Sequence, residues 1–210
     1  MSRPHPHSPA AARGMTLPHR SSILAMRLFV LSLGMLFFAS MLGYIAIRTG
    51  FFGRHEVPLG TLRRTFPPSL WVSTALVLAA SLTISRSLSA VRRERQRPFR
   101  FWLAATLVLA VLFVIVQAPS LAAILAAHFE QLRAAGDGRP MALFGLVFFL
   151  IVVHALHVVG GIIFLAWVLY RAGQNAYDHE HHIPVRHAAL YWHFLDVVWI
   201  ALFGTMFVLG

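Results

Sequence analysis

Five stretches of about 20 residues or more pass through this sequence almost without charge, and that feature limits the fold more than any other. A helix needs roughly 20 consecutive apolar residues to cross the hydrocarbon core of a bilayer, and a soluble domain rarely contains one such run. Charged residues make up 12% of the chain, against about 25% in ordinary soluble domains. The expected fold class is therefore all-α, a polytopic membrane protein of five transmembrane helices.

The spans are expected from about Arg27 to Ile47, Ser69 to Leu88, Phe101 to Ala126, Ala142 to Tyr170 and Ala188 to Leu209. The first is too long for a secretory signal, whose apolar region runs about 7 to 15 residues. Residues 1–26, rich in Pro, Ser, His and Arg, read as a disordered N-terminal tail, and 27–210 as the membrane domain. Pro67 and Pro68 suit the first turn of the second helix, where a missing N–H costs nothing. Pro119 is expected to kink or shorten the third helix unless neighbouring groups take up the freed carbonyl.

All 18 basic residues are arginine, and the formal net charge is +11. A nucleic-acid surface would gather them on one face of a soluble module, whereas here they fall in short loops, so no nucleic-acid partner is expected. Arg3, Arg13, Arg20, Arg27, Arg86, Arg92, Arg93, Arg95, Arg97, Arg100, Arg171 and Arg186 share one side. Arg48, Arg54, Arg63, Arg64, Arg133 and Arg139 share the other. The positive-inside rule then puts the N-terminus in the cytoplasm and the C-terminus outside. Arg86, Arg92 and Arg93 are candidates for phospholipid headgroups. Trp71, Trp102, Trp167 and Tyr170, near span ends, fit an aromatic belt. The absence of cysteine removes disulfides, thiolate metal sites and a thiol nucleophile.

Of the seven acids, Asp196 alone lies well inside a span. A carboxylate there costs roughly 3 kcal/mol on insertion scales, so it should be paired, protonated or turned toward protein. His193 precedes it by one helical turn on the same face. The fourth span carries His154 and His157 at the same spacing, followed by Gly160 and Gly161, which would permit close helix approach. The simplest arrangement packs these faces together as an inter-helix polar cluster of His154, His157, His193 and Asp196. Three sharper readings stand beside it. His157 and His193 could ligate a haem as an electron carrier; a His and carboxylate set could hold a metal; Asp196 could serve as the coupling carboxylate of a transporter. A di-metal centre would need several bundle carboxylates, and one is present. The segment Asp178 to His182 has metal-like composition but reads as a solvated loop.

Residues Tyr191 to Phe203 read YWHFLDVVWIALF, and about 35 residues earlier His154 to Gly161 read HALHVVGG. In that order, on the last two spans, these motifs resemble cytochrome c oxidase subunit III, the accessory membrane subunit of haem-copper terminal oxidases. The likeness is carried by Gly160, Gly161, Tyr191, Trp192, Phe194 and Trp199, and extends to His181, His182, Gln117 and the string PPSLWVSTALVLAAS from Pro67 to Ser81. It covers roughly residues 27–210, and short family members have five spans.

The resemblance implies a subunit of an oxidoreductase complex with no catalytic residues and no metal of its own, haem and copper lying in partner subunits. It implies direct packing against subunit I, association with subunit II and other oxidase subunits, bound phospholipid, and a bacterial inner membrane location. Oxygen reduction and proton translocation would belong to the complex. His154, His157, His193 and Asp196 would be packing groups. The accessory subunit of nitric oxide reductases is similar in the same motifs and stands as the alternative. The electron donor, cytochrome c or quinol, is not written in this chain. Two positions depart from the family pattern. Gly34, within LGMLFF, stands where the family has a glutamate, and Arg186 stands where it has another acid.

Overall fold

The structure, a computed structural model, describes residues 17–49, 69–134, 141–174, 177 and 182–209. Pro67, Pro68, the segment from Asp178 to His181 and residues 1–16 of the expected tail lie outside the described residues. Every described element is helical: α1 Leu17–Arg48, α2 Ser69–Arg92, α3 Gln96–Ala134, α4 Met141–Gly173 and α5 Ile183–Leu209. Each contains a segment long and apolar enough to cross a membrane. The all-α, five-helix expectation holds.

The helices are longer than their apolar cores. At 1.5 Å per residue α3, with 39 residues, runs about 58 Å, nearly twice the hydrocarbon thickness. Pro119 lies inside α3, and helical structure continues past it to Ala134. Helix α1 begins at Leu17, not Arg27, so residues 17–26 belong to the helix and not to a tail. Pro18 fits its first turn, and the run from Ile23 to Leu28 is made of good helix formers. In the same way α5 starts at Ile183, with Pro184 in the first turn and Arg186 N–H donating to His182 O at 3.1 Å.

The turn between α2 and α3 is short because α2 ends in a Schellman motif. Arg95 N–H donates to Ala90 O at 3.0 Å and Glu94 N–H to Val91 O at 3.1 Å. Glu94 occupies the left-handed position, φ 58°, that glycine usually fills. The chain therefore reverses within three residues, and α2 and α3 form the most extensive helix pair. Two polar contacts cross their seam: Thr106 Oγ1 lies 2.9 Å from Thr83 Oγ1, and Ser87 Oγ donates to Phe99 O at 3.3 Å.

Helices α4 and α5 form the middle of the bundle. They pack on each other, α5 on α2, α4 on α3, and both on α1 from the opposite side. Ile84 of α2, Leu103 of α3, Leu165 of α4 and Val185 of α5 are fully buried. Large apolar side chains cover the outside, with Met35, Leu82, Phe101, Ile163 and Val197 each more than 60% exposed. In water such a surface would be strongly unfavourable; against lipid tails it is neutral, and the interior can be built from small and hydroxyl residues.

Candidate functional site

The α2–α5 interface is built from one face of each helix. On α2, Thr74, Ser81 and Ser85 recur at helical spacing; on α5, His193, Asp196 and Trp199 do the same. His193 Nδ1 lies 2.7 Å from Ser81 Oγ and its Nε2 lies 3.2 Å from Ser85 Oγ. Trp199 Nε1 donates to Thr74 Oγ1 at 3.2 Å. Three side-chain links therefore tie α5 to α2 across about three turns.

Asp196 sits at the centre of α5, about 20 Å from its start, and is 5% exposed. Its Oδ2 is 3.9 Å from His193 Nδ1, too far for a hydrogen bond, and the Ser81 hydroxyl also reaches its carboxyl group. Serine, histidine and aspartate thus lie side by side, but not as a hydrolytic triad, because Ser81 and Asp196 both approach the same ring nitrogen. The arrangement is a helix clamp.

On α4, His154 is buried and stacks on Trp199, ring centroids 5.9 Å apart at 27°, while Phe37 of α1 meets it edge-on at 6.1 Å. Trp199 is also met edge-on by Phe113 of α3 at 5.1 Å. One tryptophan therefore joins α2, α3, α4 and α5. His154, Trp192, Asp196 and Trp199 line a common pocket whose remaining walls are apolar side chains of α2 and α3 with Val158 of α4 and Leu195 of α5.

His157 points elsewhere. Its Nδ1 bonds to Val153 O of its own helix at 2.6 Å, and its ring meets Phe37 at 5.9 Å. The four groups keep partly different neighbours: His154 and Asp196 line one pocket, His193 lies beside Asp196 and bonds to α2, and His157 bonds to its own helix and, like His154, meets Phe37 of α1. Haem ligation by His157 and His193 does not fit this arrangement, since both nitrogens of His193 are engaged with serines and the two rings address different neighbours. Among the described residues, no three His, Asp or Glu side chains come close enough to hold a metal ion.

The two glycines of the fourth helix also divide. A Cβ on Gly161 would lie 3.0 Å from the Tyr191 ring and 3.3 Å from Leu195 Cδ1, whereas one on Gly160 would meet nothing within 4 Å. Adjacent helical positions point about 100° apart, so only one can face α5. The expectation that both admit a neighbouring helix is corrected: Gly161 admits α5 side chains and Gly160 faces outward. Tyr191, seated over Gly161, donates its OH to His157 O at 3.1 Å. Trp192 is buried, and Phe194 meets Phe37 with centroids 6.4 Å apart. A Cβ on Gly34 would stand 3.5 Å from Phe194 Cε2, an ordinary contact. Gln117 is half-buried near the middle of α3, and His182 immediately precedes α5.

Arg86 lies over the Trp102 ring, 4.9 Å from its centroid, which fixes one guanidinium beside the α2–α3 turn. Arg92 and Arg93 are exposed at the end of α2. Trp71, Trp167 and Tyr170 are also exposed. Ser81, Ser85, Thr74 and Phe37 were not singled out by sequence reasoning as site residues; a hydroxyl stripe at helical spacing within an apolar span was the signal that would have found the first three.

Comparison with known proteins decides the family. The model for cytochrome c oxidase subunit III matches residues 5–210. The chain belongs to the cytochrome c oxidase subunit III family. Cytochrome c oxidase subunit 3 of Thermostichus vulcanus is 27% identical over 191 residues, 89% of this chain and 87% of that protein. Probable cytochrome c oxidase subunit 3 of Mycobacterium tuberculosis is 30% identical over 135 residues, 64% of this chain and 63% of that one. Probable quinol oxidase subunit 3 of Staphylococcus epidermidis is 27% identical over 140 residues, 66% of each. For a subunit III chain, the α2–α5 clamp and the His154–Trp199–Asp196 region read as the framework of the helix bundle.

Proposed function

We propose that this chain is the accessory subunit of a bacterial haem-copper terminal oxidase. It packs laterally on subunit I, associates with subunit II, and carries no redox centre. Oxygen reduction and proton translocation are performed by the complex, with haem and copper held in the partner subunits. The observation that carries the reading is the subunit III family match across nearly the whole chain. The engaged ring nitrogens of His193 and the self-bonded His157 agree with a structural role for these histidines. His154, His157, His193 and Asp196 act in packing and assembly. Arg86, Arg92 and Arg93 bind phospholipid headgroups, and the N-terminus is cytoplasmic, the C-terminus outside, in the inner membrane.

Relatives named for cytochrome c oxidase and for quinol oxidase both match the chain, which agrees with an electron donor chosen by other subunits. The test is affinity purification of the tagged chain in mild detergent, with identification of every co-purifying protein and an optical spectrum. A haem-copper catalytic subunit in the eluate supports the reading. A chain that elutes alone with a Soret band contradicts it. With Asp196→Ala the yield of complex should fall while haem absorbance per complex stays constant; loss of haem from complexes recovered in full amount would contradict the packing role.

A further inference from the structure

His193 stands at the middle of its span, eleventh of the 23 residues from Ile183 to Thr205, and its side chain is 43% exposed. A polar ring half exposed at that depth is costly if it carries a charge or an unbonded nitrogen. Both nitrogens bond to α2, Nδ1 to Ser81 Oγ at 2.7 Å and Nε2 to Ser85 Oγ at 3.2 Å, the two serines one helical turn apart. Nδ1 and Nε2 flank Cε1, so the edge of the ring that holds its polar atoms is turned to α2. The opposite edge, Cγ and Cδ2, is carbon.

Counting hydrogens fixes the direction of these bonds. A hydroxyl has one hydrogen, and that of Ser85 goes to Ser81 O at 2.9 Å, nearer than the ring nitrogen, because a carbonyl can only accept. Ser85 Oγ can then only accept from His193, so Nε2 carries the ring hydrogen. Ser73, Thr74, Ser85 and Ser89 all bond to the carbonyl four residues back, whereas Ser81 Oγ reaches across to α5. The titratable group facing that contact is Asp196 of α5, with Oδ2 3.9 Å from Nδ1 and its carboxyl within reach of Ser81; on α2, the Arg86 guanidinium lies over Trp102 of α3. Were Ser81 to give its hydrogen to a carboxylate, Nδ1 would need a proton of its own, and a charged ring would stand half exposed within the span. Giving it to Nδ1 keeps the ring neutral.

We propose that α2 holds His193 as the neutral Nε2–H tautomer, in a one-way chain that runs from the Ser81 hydroxyl to Nδ1 and from Nε2–H through Ser85 to Ser81 O, with Ser85 setting the tautomer. The chain begins and ends on one residue of α2, uses each hydrogen once, and leaves no ring nitrogen to face lipid. It explains how an imidazole is accommodated half exposed at the centre of a span. Ser85 is a positioning residue here, since the bond it accepts decides which nitrogen of the ring is protonated. The inference concerns the chain alone and does not depend on the identity of the assembled complex.

The test is solid-state NMR of the full chain in its membrane complex, labelled with ¹³C-carbonyl tryptophan and with ¹³C,¹⁵N-histidine. Trp followed by His occurs once in the sequence, at Trp192 and His193, so the His193 ring is assigned without a substitution. A protonated Nε2 and an unprotonated Nδ1 are expected. The reverse pattern, or protons on both nitrogens, would overturn the proposal. Ser85→Ala removes the acceptor at Nε2 and should shift a measurable share of the ring to the Nδ1–H form, to which Ser81 Oγ can serve as acceptor; Ser85→Thr, which keeps the hydroxyl, should restore the single form. An unchanged tautomer in Ser85→Ala would overturn the role of Ser85, and if that variant fails to accumulate, the spectrum of the unsubstituted chain still decides the tautomer.

Discussion

The His193 clamp makes a quantitative prediction about helix association. His193 Nδ1 and Ser81 Oγ are 2.7 Å apart, a short contact, whereas Nε2 and Ser85 Oγ are 3.2 Å apart. Both serines keep a second partner when the imidazole is removed, Ser85 donating to Ser81 O at 2.9 Å and Ser81 reaching the Asp196 carboxyl, so the shorter contact sets the ranking. Interhelical side-chain bonds in membranes average about 0.6 kcal/mol and reach about 1.7. The Ser81–His193 coupling should therefore be about 1 kcal/mol, roughly a fivefold change in the folded-to-unfolded ratio, and the Ser85–His193 coupling about half of that. The assay is a double-mutant cycle with Ser81→Ala, Ser85→Ala and His193→Phe, read by graded SDS unfolding in mixed micelles. Ser89→Ala is the control, because Ser89 Oγ bonds only along its own helix, to Ser85 O at 3.0 Å. Coupling within about 0.3 kcal/mol of zero for Ser81–His193, or equal coupling for Ser89, would refute the argument.

Gly161→Leu should cost about 1–3 kcal/mol by overpacking against Tyr191 and Leu195 and should reduce the amount of assembled subunit in membranes, while Gly160→Leu should leave it unchanged; equal effects would contradict the facing of α4. Glu94→Gly relieves a left-handed backbone position and should stabilise the α2–α3 turn by about 1 kcal/mol, seen as a higher unfolding midpoint, whereas Glu94→Val should lower it. Burial raises the Tyr177 phenol above the ordinary tyrosine value, with Arg171 pulling the other way. Because the folded value is the higher one, the contribution is fully present below the unfolded value and is lost as pH rises through the folded one. The alkaline absorbance difference between the chain and Tyr177→Phe should thus report a phenol titrating above the usual tyrosine range; titration at or below it would contradict the burial.

Much of the fold was legible because bilayer spanning leaves so plain a mark. Uncharged runs located all five helices, and only their ends moved: Leu17 for Arg27, Ile183 for Ala188, and Ala134 for Ala126. Hydropathy stops where the bilayer stops, whereas helices continue into the interface wherever capping and propensity allow, as Pro18 and Pro184 do in their first turns. The site was less legible. Sequence spacing put His193 and Asp196 on one face of α5 but could not say that α2 would supply Ser81 and Ser85. Nor could it orient His157, whose turn toward Phe37 depends on where α1 packs. Gly160 and Gly161 look alike in the sequence, and only the packing angle of α4 on α5 separates them.

The most direct measurement is metal and haem stoichiometry of the purified complex with and without this chain. The chain is removed by mild detergent stripping, and iron, copper and haem are quantified per catalytic subunit in both preparations and in the released chain. The account predicts that the stripped complex keeps all of its haem and copper and that the released chain carries none. Haem or metal leaving stoichiometrically with the chain would contradict it.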